Sequence, residues 1–298
     1  MLIFYFVSLV QASRFAAGKY SFTNTCAFDS ATNVILVAAF DRPQVRKAVE
    51  DLKDNNPIFN LIVDIMTKGL RAYSYQLRAQ ILLDFHESVR RVKNCHLVDC
   101  ESNVCPVLAK AFINTPSLRE ISLCAKGCQY VDKSLRTISV NRDHLMRHQD
   151  FDNVLHKILS SRGRGYCVKC RAPTDHVITA TGLFMIMETD DVGVLMLDQI
   201  PKSCCDPLSN GKSRYRLIGI IDFTPPRTAT RSVVDNNPGL GHYTTISLRP
   251  PSSYFKFDDT RANSAPVIIK PDLTRLFGLN STSEPVKDIK KKRLIFIR

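Results

Sequence analysis

Glycine and proline are sparse, 12 and 15 in 298 residues, which argues against a disordered chain. No apolar run approaches the roughly 18 to 20 residues that cross a bilayer as a helix, so an integral membrane protein of that kind is not expected. There is no repeat of 20 to 50 residues, no low-complexity tract and no Gly/Ser linker, so neither a solenoid nor a clean domain cut is visible. Acidic residues are the scarcer charge. Against 41 Lys and Arg stand 28 Asp and Glu, a formal +13, which favours acidic partners: nucleic acid, an anionic membrane face or an acidic protein patch. With 44% apolar residues, the chain can bury a large core in one elaborated domain or two small ones.

The start, "MLIFYFVSLVQASRFAAG", has an apolar stretch and small residues near Ala12 but no basic n-region. It reads as a leader, as a buried entry segment or as a truncated N-terminus, and residues 1–19 are set apart on that ground. The choice bears on the ten cysteines, because an even count suggests disulfides in a secreted chain and metal or catalysis in the cytosol.

Periodicity changes along the chain. From Asp29 to about Lys93 apolar residues recur three or four apart, in "SATNVILVAAF", "RPQVRKAVEDLKD", "NLIVDIMTKGL" and "YQLRAQILLDFHESVRRV", which predicts helices. From Leu118 onward strands dominate, among them "REISLCA", "HVITATGLFMIMET", "GVLMLDQI", "YRLIGIIDF", "HYTTISL" and "YFKFDD", interrupted by one helical pattern, "RDHLMRHQDFDNVLHKILS". Helices first and strands later predict an α+β fold, a helical lobe on a mostly antiparallel sheet lobe.

Within "YSFTNTCAFDS", Asn24, Thr25 or Asp29 can cap the following helix, which puts Cys26 at its first turn. Unpaired N–H groups and the helix dipole stabilise a thiolate there; a small buried hydrophobe is the plainer alternative. A nucleophile needs a base, and the base an orienting group. His242 follows Gly239 and Gly241 and opens the strand "HYTTISL". After the turn at "RPPSS", "YFKF" returns beside it and ends on Asp258, so a carboxylate comes alongside the imidazole.

These residues resemble the ubiquitin-specific proteases. "NTCAFDS" looks like their cysteine box, "GLGHYTT" like their histidine box and "YFKFDD" like the acidic end of that box. The resemblance implies Cys26 as nucleophile, His242 as general base, and Asp258 as orienter, ahead of Asp259. It further implies hydrolysis of the bond after the C-terminus of ubiquitin or a ubiquitin-like modifier through a thioester. Two thiol pairs, Cys124/Cys128 and Cys167/Cys170, have the spacing of a tetrahedral zinc site; the family tips its fingers subdomain with such pairs, and one structural zinc ion is expected. The implied fold is papain-like, a single catalytic domain over 20–298 with a helical thumb (20–115), a zinc-bearing β fingers insert (116–200) and an antiparallel β palm (201–298) closed by "KKKRLIFIR". Ubiquitin is the expected partner, with nucleic acid a lesser one and no membrane; the expected state is a monomer in cytoplasm or nucleus.

The pattern also departs from the family. Ser21 stands where members carry an asparagine that helps hold the tetrahedral oxyanion, a loss worth about 10²–10³ in rate unless Ser21, Asn24 or the Cys26 N–H compensates. A catalytically weak or inactive ubiquitin-binding module is therefore the alternative, with a basic zinc-bearing nucleic-acid-binding protein as a further rival. A ubiquitin-like tail is basic, and Glu188, Asp190, Asp191, Asp198 and Asp222 are candidates for an acidic channel. Cys95, Cys100 and Cys105, with His96 alongside, read as residues on diverging helix faces. Cys204 and Cys205 read as part of a polar loop, and His144 and His148 as surface residues of one helix.

Overall fold

The computed structural model describes residues 13–15, 18–86, 89–128, 130–135, 137–147, 150–161, 165–167, 169–189, 200–209, 211–224, 241–250, 253–258, 267–269 and 292–298. Two compact units emerge: residues 1–111 with 220–269, and residues 112–219 with 270–298.

The first unit opens with β1 (Ser13–Phe15) and β2 (Gly18–Thr23). Asn24 then takes a left-handed φ of 57°, a conformation asparagine tolerates better than most residues. That turns the chain into α1 (Cys26–Asp41). Two helices follow with proline at the first position, where a missing N–H costs nothing: α2 (Pro43–Asp51) and α3 (Pro57–Lys68). Asn56 caps α3, its Oδ1 accepting from the Ile58 N–H at 3.0 Å, and Gly69, at φ 74°, closes it. After α4 (Ala72–Phe85) the chain makes the hairpin β3 (Val89–Val92) and β4 (Cys95–Asp99), then α5 (Val104–Ala111). The helical reading of "YQLRAQILLDFHESVRRV" thus fails past Phe85. Its last four residues, "VRRV", form an edge strand exposed throughout and paired with β4, a position where arginines meet water on both faces. β2 and β4 pair in parallel, so this sheet, ordered β1-β2-β4-β3, is mixed.

In the second unit β5 (Leu118–Cys124) pairs with β6 (Tyr130–Leu135), and β7 (Ile138–Val140) leads to α6 (Arg142–Met146) and α7 (Phe151–Ser161). The single helix expected across this stretch is therefore two. Asn141 caps α6 reciprocally with His144: its Oδ1 accepts from the His144 N–H, while its own N–H donates to His144 Nδ1. His148 lies outside the described residues. Next come β8 (Gly165–Tyr166), β9 (Pro173–Thr181) and β10 (Phe184–Thr189), with a sheet ordered β6-β5-β9-β8. Cys204 and Cys205 lie not in a loop but in β11 (Ser203–Cys205), which pairs with β12 (Arg214–Thr224).

Chain segments of both units follow: β12, whose last residues, 220–224, belong to the first unit, then β13 (His242–Arg249), β14 (Ser253–Phe257) and β15 (Val267–Ile269), and finally β16 (Lys292–Ile297) in the second. β12, β13, β14 and β15 are neighbours in that order, and β16 pairs antiparallel with β10, which in turn pairs parallel with β7. The architecture is α+β, as expected. Among the described residues no helix is long and apolar enough to cross a membrane.

In the second unit the step from β9 to β10 depends on Gly182. A Cβ there would lie 2.1 Å from the Pro116 carbonyl oxygen. The Gly182 N–H donates to Ser117 O at 2.8 Å, and its carbonyl accepts from the Tyr215 hydroxyl at 2.6 Å. Because the obstruction is backbone and not a flexible side chain, Gly182→Ala is expected to cost about 2 kcal/mol or more, read as a lowered midpoint in urea unfolding.

Candidate active site and metal centre

α1 is buried on most of its surface; Phe28, Ala31, Val34 and Ile35 are each at most 1% exposed. It packs against α2, α3, α5 and β13. Two contacts set its register on β13. Thr245 Oγ1 donates to Ser30 O at 3.2 Å, and at the far end Arg249 forms a two-pronged pair with Asp41. Helix and strand therefore run in the same direction. Counting back from the first contact, His242 lies about 10 Å up the strand and Cys26 about 6 Å up the helix. Both reach the same end of the layer.

At that end His242 Nε2 lies 3.0 Å from Asp258 Oδ1. The hairpin explains the approach: Thr245 pairs with Phe257, so Asp258, one residue on, stands diagonally from His242 on the same face. An ionised carboxylate only accepts, so Nε2 carries the proton and, in the neutral ring, Nδ1 holds the lone pair. The two side chains are 23% and 17% exposed. Just before the histidine, Gly241 lies close under the Phe223 ring: a Cβ there would be 2.2 Å from it, so a side chain would have to displace that ring.

Cys26 is half-buried at the first position of α1 and forms no disulfide. Thr25, the N-cap, makes no side-chain cap hydrogen bond. Its hydroxyl is engaged elsewhere: it donates to Asp29 Oδ2 at 2.6 Å and accepts from Arg78 Nη2 at 2.6 Å. Arg78, from α4, also reaches Asp29 directly, Nε to Oδ1 at 2.8 Å and Nη2 to Oδ2 at 2.6 Å. Burial works against the Arg78 charge, but the Asp29 carboxylate outweighs it and holds the guanidinium above its ordinary pKa.

The segment after β4 touches both sides of this end. The Cys100 N–H donates to Thr23 O at 3.0 Å, Asn24 Nδ2 donates to Asp99 Oδ1 at 2.9 Å, and the Tyr243 hydroxyl donates to Asn103 Oδ1 at 2.8 Å. Cys95, Cys100 and Cys105 are not on one helix, as the spacing suggested, but on β4, just after it, and in α5. Burial pushes the Cys100 thiol up to about 12, so it stays neutral. His96 stacks on Tyr20, centroids 4.8 Å apart.

Of the proposed acidic channel, Asp190, Asp191 and Asp198 lie outside the described residues, as does Asp259. Asp222 is buried in β12 and Glu188 half-buried in β10. Sequence reasoning missed Arg78, Asp99, Asn103 and Tyr243. For Arg78 a signal existed: Asp29 within an apolar helix pattern needs a buried cation, and "YQLRAQILLDF" supplies one amid apolar residues.

In the second unit Cys124, Cys128, Cys167 and Cys170 converge, their four Sγ atoms within 4.8 Å of one another. Ligands of a tetrahedral ion with metal–sulfur bonds of about 2.3 Å stand about 3.8 Å apart, so the cluster is close enough to hold a metal ion. Cys124 and Cys170 already approach to 3.4 Å. Backbone N–H groups of Cys128 and Lys126 hold the Cys124 thiol below its ordinary pKa despite burial, which favours the thiolate a metal requires. The turns come from Gly127 at φ 69° and Arg171 at φ 58°. Among the described residues this is the one grouping with such a donor set.

No family model matches the chain. The 120.7 kDa protein in NOF-FB transposable element of Drosophila melanogaster is 23% identical over 259 residues, covering 80% of this chain and 22% of that protein. The chain thus spans less than a quarter of that relative. Among solved structures, the SAGA Ubp8/Sgf11/Sus1/Sgf73 DUB module bound to ubiquitin aldehyde aligns at a TM-score of 0.43 with 11% identity, over 98% of this chain and 70% of that one. A yeast SAGA DUB module aligns at 0.41 with 13% identity, over 98% and 69%. At these scores the likenesses assign no role to any residue.

Purified protein is expected to carry about one equivalent of divalent metal. Cys124→Ser combined with Cys167→Ser should take elemental analysis below about half an equivalent and lower the thermal midpoint of unfolding.

Proposed function

We propose that the chain is a thiol-dependent deubiquitinase, cleaving the peptide or isopeptide bond after the C-terminal glycine of ubiquitin or a ubiquitin-like modifier. The observation that carries this is the 3.0 Å His242–Asp258 pair at the head of a strand registered along α1, the helix that begins with Cys26. In this reading Asp258 fixes the tautomer, and Nδ1 of His242 takes the proton of the Cys26 thiol. The sulfur attacks the carbonyl carbon, the amine leaves with the proton from His242, and water, deprotonated by the same ring, hydrolyses the thioester.

The tetrahedral oxyanion is taken by the Cys26 N–H and by Asn24. That amide has two N–H donors, of which one meets Asp99. The cluster of Cys124, Cys128, Cys167 and Cys170 holds zinc in a structural role, since four thiolates leave no open position for substrate. With ubiquitin as substrate, the cytoplasm or nucleus is the setting.

Ubiquitin bearing an electrophilic C-terminal group is expected to add to the purified chain, read by intact mass as a gain of one ubiquitin that Cys26→Ala abolishes and His242→Ala slows at least a hundredfold. An adduct that survives Cys26→Ala, or none with the metal-loaded wild type, would sink the assignment.

A further inference from the structure

N-cap threonines ordinarily turn their hydroxyl onto the N–H groups of the first turn. Thr25 does not: its backbone, at φ −83° and ψ 0°, is not extended as a capping residue's is, and it is held there with its Oγ1 claimed on both sides, by the Asp29 carboxylate and by the Arg78 guanidinium, each at 2.6 Å. All three groups are withdrawn from water: Thr25 is 6% exposed, and the side chains of Arg78 and Asp29 are 12% and 3% exposed. The arrangement brackets Cys26, gripping the residue before it and the residue three after it from a helix far along the sequence.

We propose that Arg78 is a positioning residue for the Cys26 turn: with Asp29 it withholds the Thr25 hydroxyl from capping α1, so that the first-turn N–H groups remain turned toward negative charge on the Cys26 sulfur. This rests on the reading of Cys26 as a nucleophile. Two effects act in the same direction. An uncapped N-terminus stabilises a thiolate through N–H groups and the helix dipole. The guanidinium also neutralises Asp29, a carboxylate one helical turn from the thiol that would otherwise oppose ionisation. Asp99, bonded to Asn24, and His242 stand at this end of α1; the other titratable groups around the pair are Tyr75 and Cys100. Burial raises the pKa of both, so neither brings a competing charge near neutral pH.

The test is the pH profile of Cys26 alkylation by iodoacetamide, located by peptide mass, in the full chain. Replacing both charges by apolar groups of similar size, Asp29→Leu with Arg78→Met, avoids leaving one charge buried alone and frees Thr25 to cap. The profile is expected to shift to higher pH, with alkylation at pH 7 slowed about tenfold. Adding Thr25→Val, which cannot cap, should recover part of that loss, whereas a merely structural pair would lose more. Should the double variant fail to fold, Arg78→Lys keeps the charge without the fork that spans both partners and should give a smaller shift of the same sign. A variant that titrates as wild type overturns the role of Arg78 alone. A wild-type Cys26 that reacts no faster than the exposed thiol of an unfolded control brings down the nucleophile reading, and this proposal with it.

Discussion

The register of α1 on β13 is the constraint on which the candidate site depends. Cys26 and His242 sit far apart in the chain, and neither has a local reason to face the other. What aligns them is a helix locked at two heights, by Thr245 on Ser30 and by Arg249 on Asp41. The second lock is a buried pair, 12% and 9% exposed, and removing one partner of such a pair typically costs about 3–5 kcal/mol. Slippage of the strand by one residue would also turn each of its side chains to the opposite face, taking His242 away from Asp258. Register is therefore held by hydrogen bonds and charge together with the apolar side chains of the strand, which such a slip would turn away from the helix.

The turn that carries Cys26 is held by different means. Around it the backbone leaves β2 through the left-handed Asn24, and polar groups that would be costly if unpaired are satisfied in a closed set: Thr25, Asp29 and Arg78 among themselves, Asn24 with Asp99, Thr23 with Cys100. Charge-assisted bonds of this kind are strong where the local dielectric is low. They favour one arrangement of the turn over its neighbours, whereas apolar packing alone would tolerate several.

Much of this was legible in the sequence. The helical period of residues 30–40, the capping residues near Cys26, and the alternation of "HYTTISL" with its return on "YFKF" report short-range physics, and they led to the right elements. The two thiol pairs were legible for the same reason, since ligand spacing in a turn is local. The failures have one cause. "VRRV" ends a helix-like spacing but lies at a sheet edge, where exposure on both faces erases the alternation that marks a strand. Cys204 and Cys205 are similar: a three-residue strand is defined by its partner, Arg214–Arg216 in β12, and not by its own composition. Which residues hold the Cys26 turn was least legible, because Arg78 and Asp99 reach it only through tertiary packing.

The two cysteine sites also show how one side chain serves opposite ends through its surroundings. At Cys124 and its three partners, sulfur atoms are drawn together by turns that aim N–H groups at them, and four converging donors suit an ion that fills every position. Cys26 sits instead at a helix terminus whose N-cap residue turns its hydroxyl elsewhere. Cys100 is buried and stays protonated, although the Arg78 guanidinium acts against the rise. Burial alone raises a thiol pKa, and only directed N–H groups, a metal or a neighbouring cation reverse it. The direction of backbone N–H groups thus separates the surroundings of Cys124 from those of Cys100.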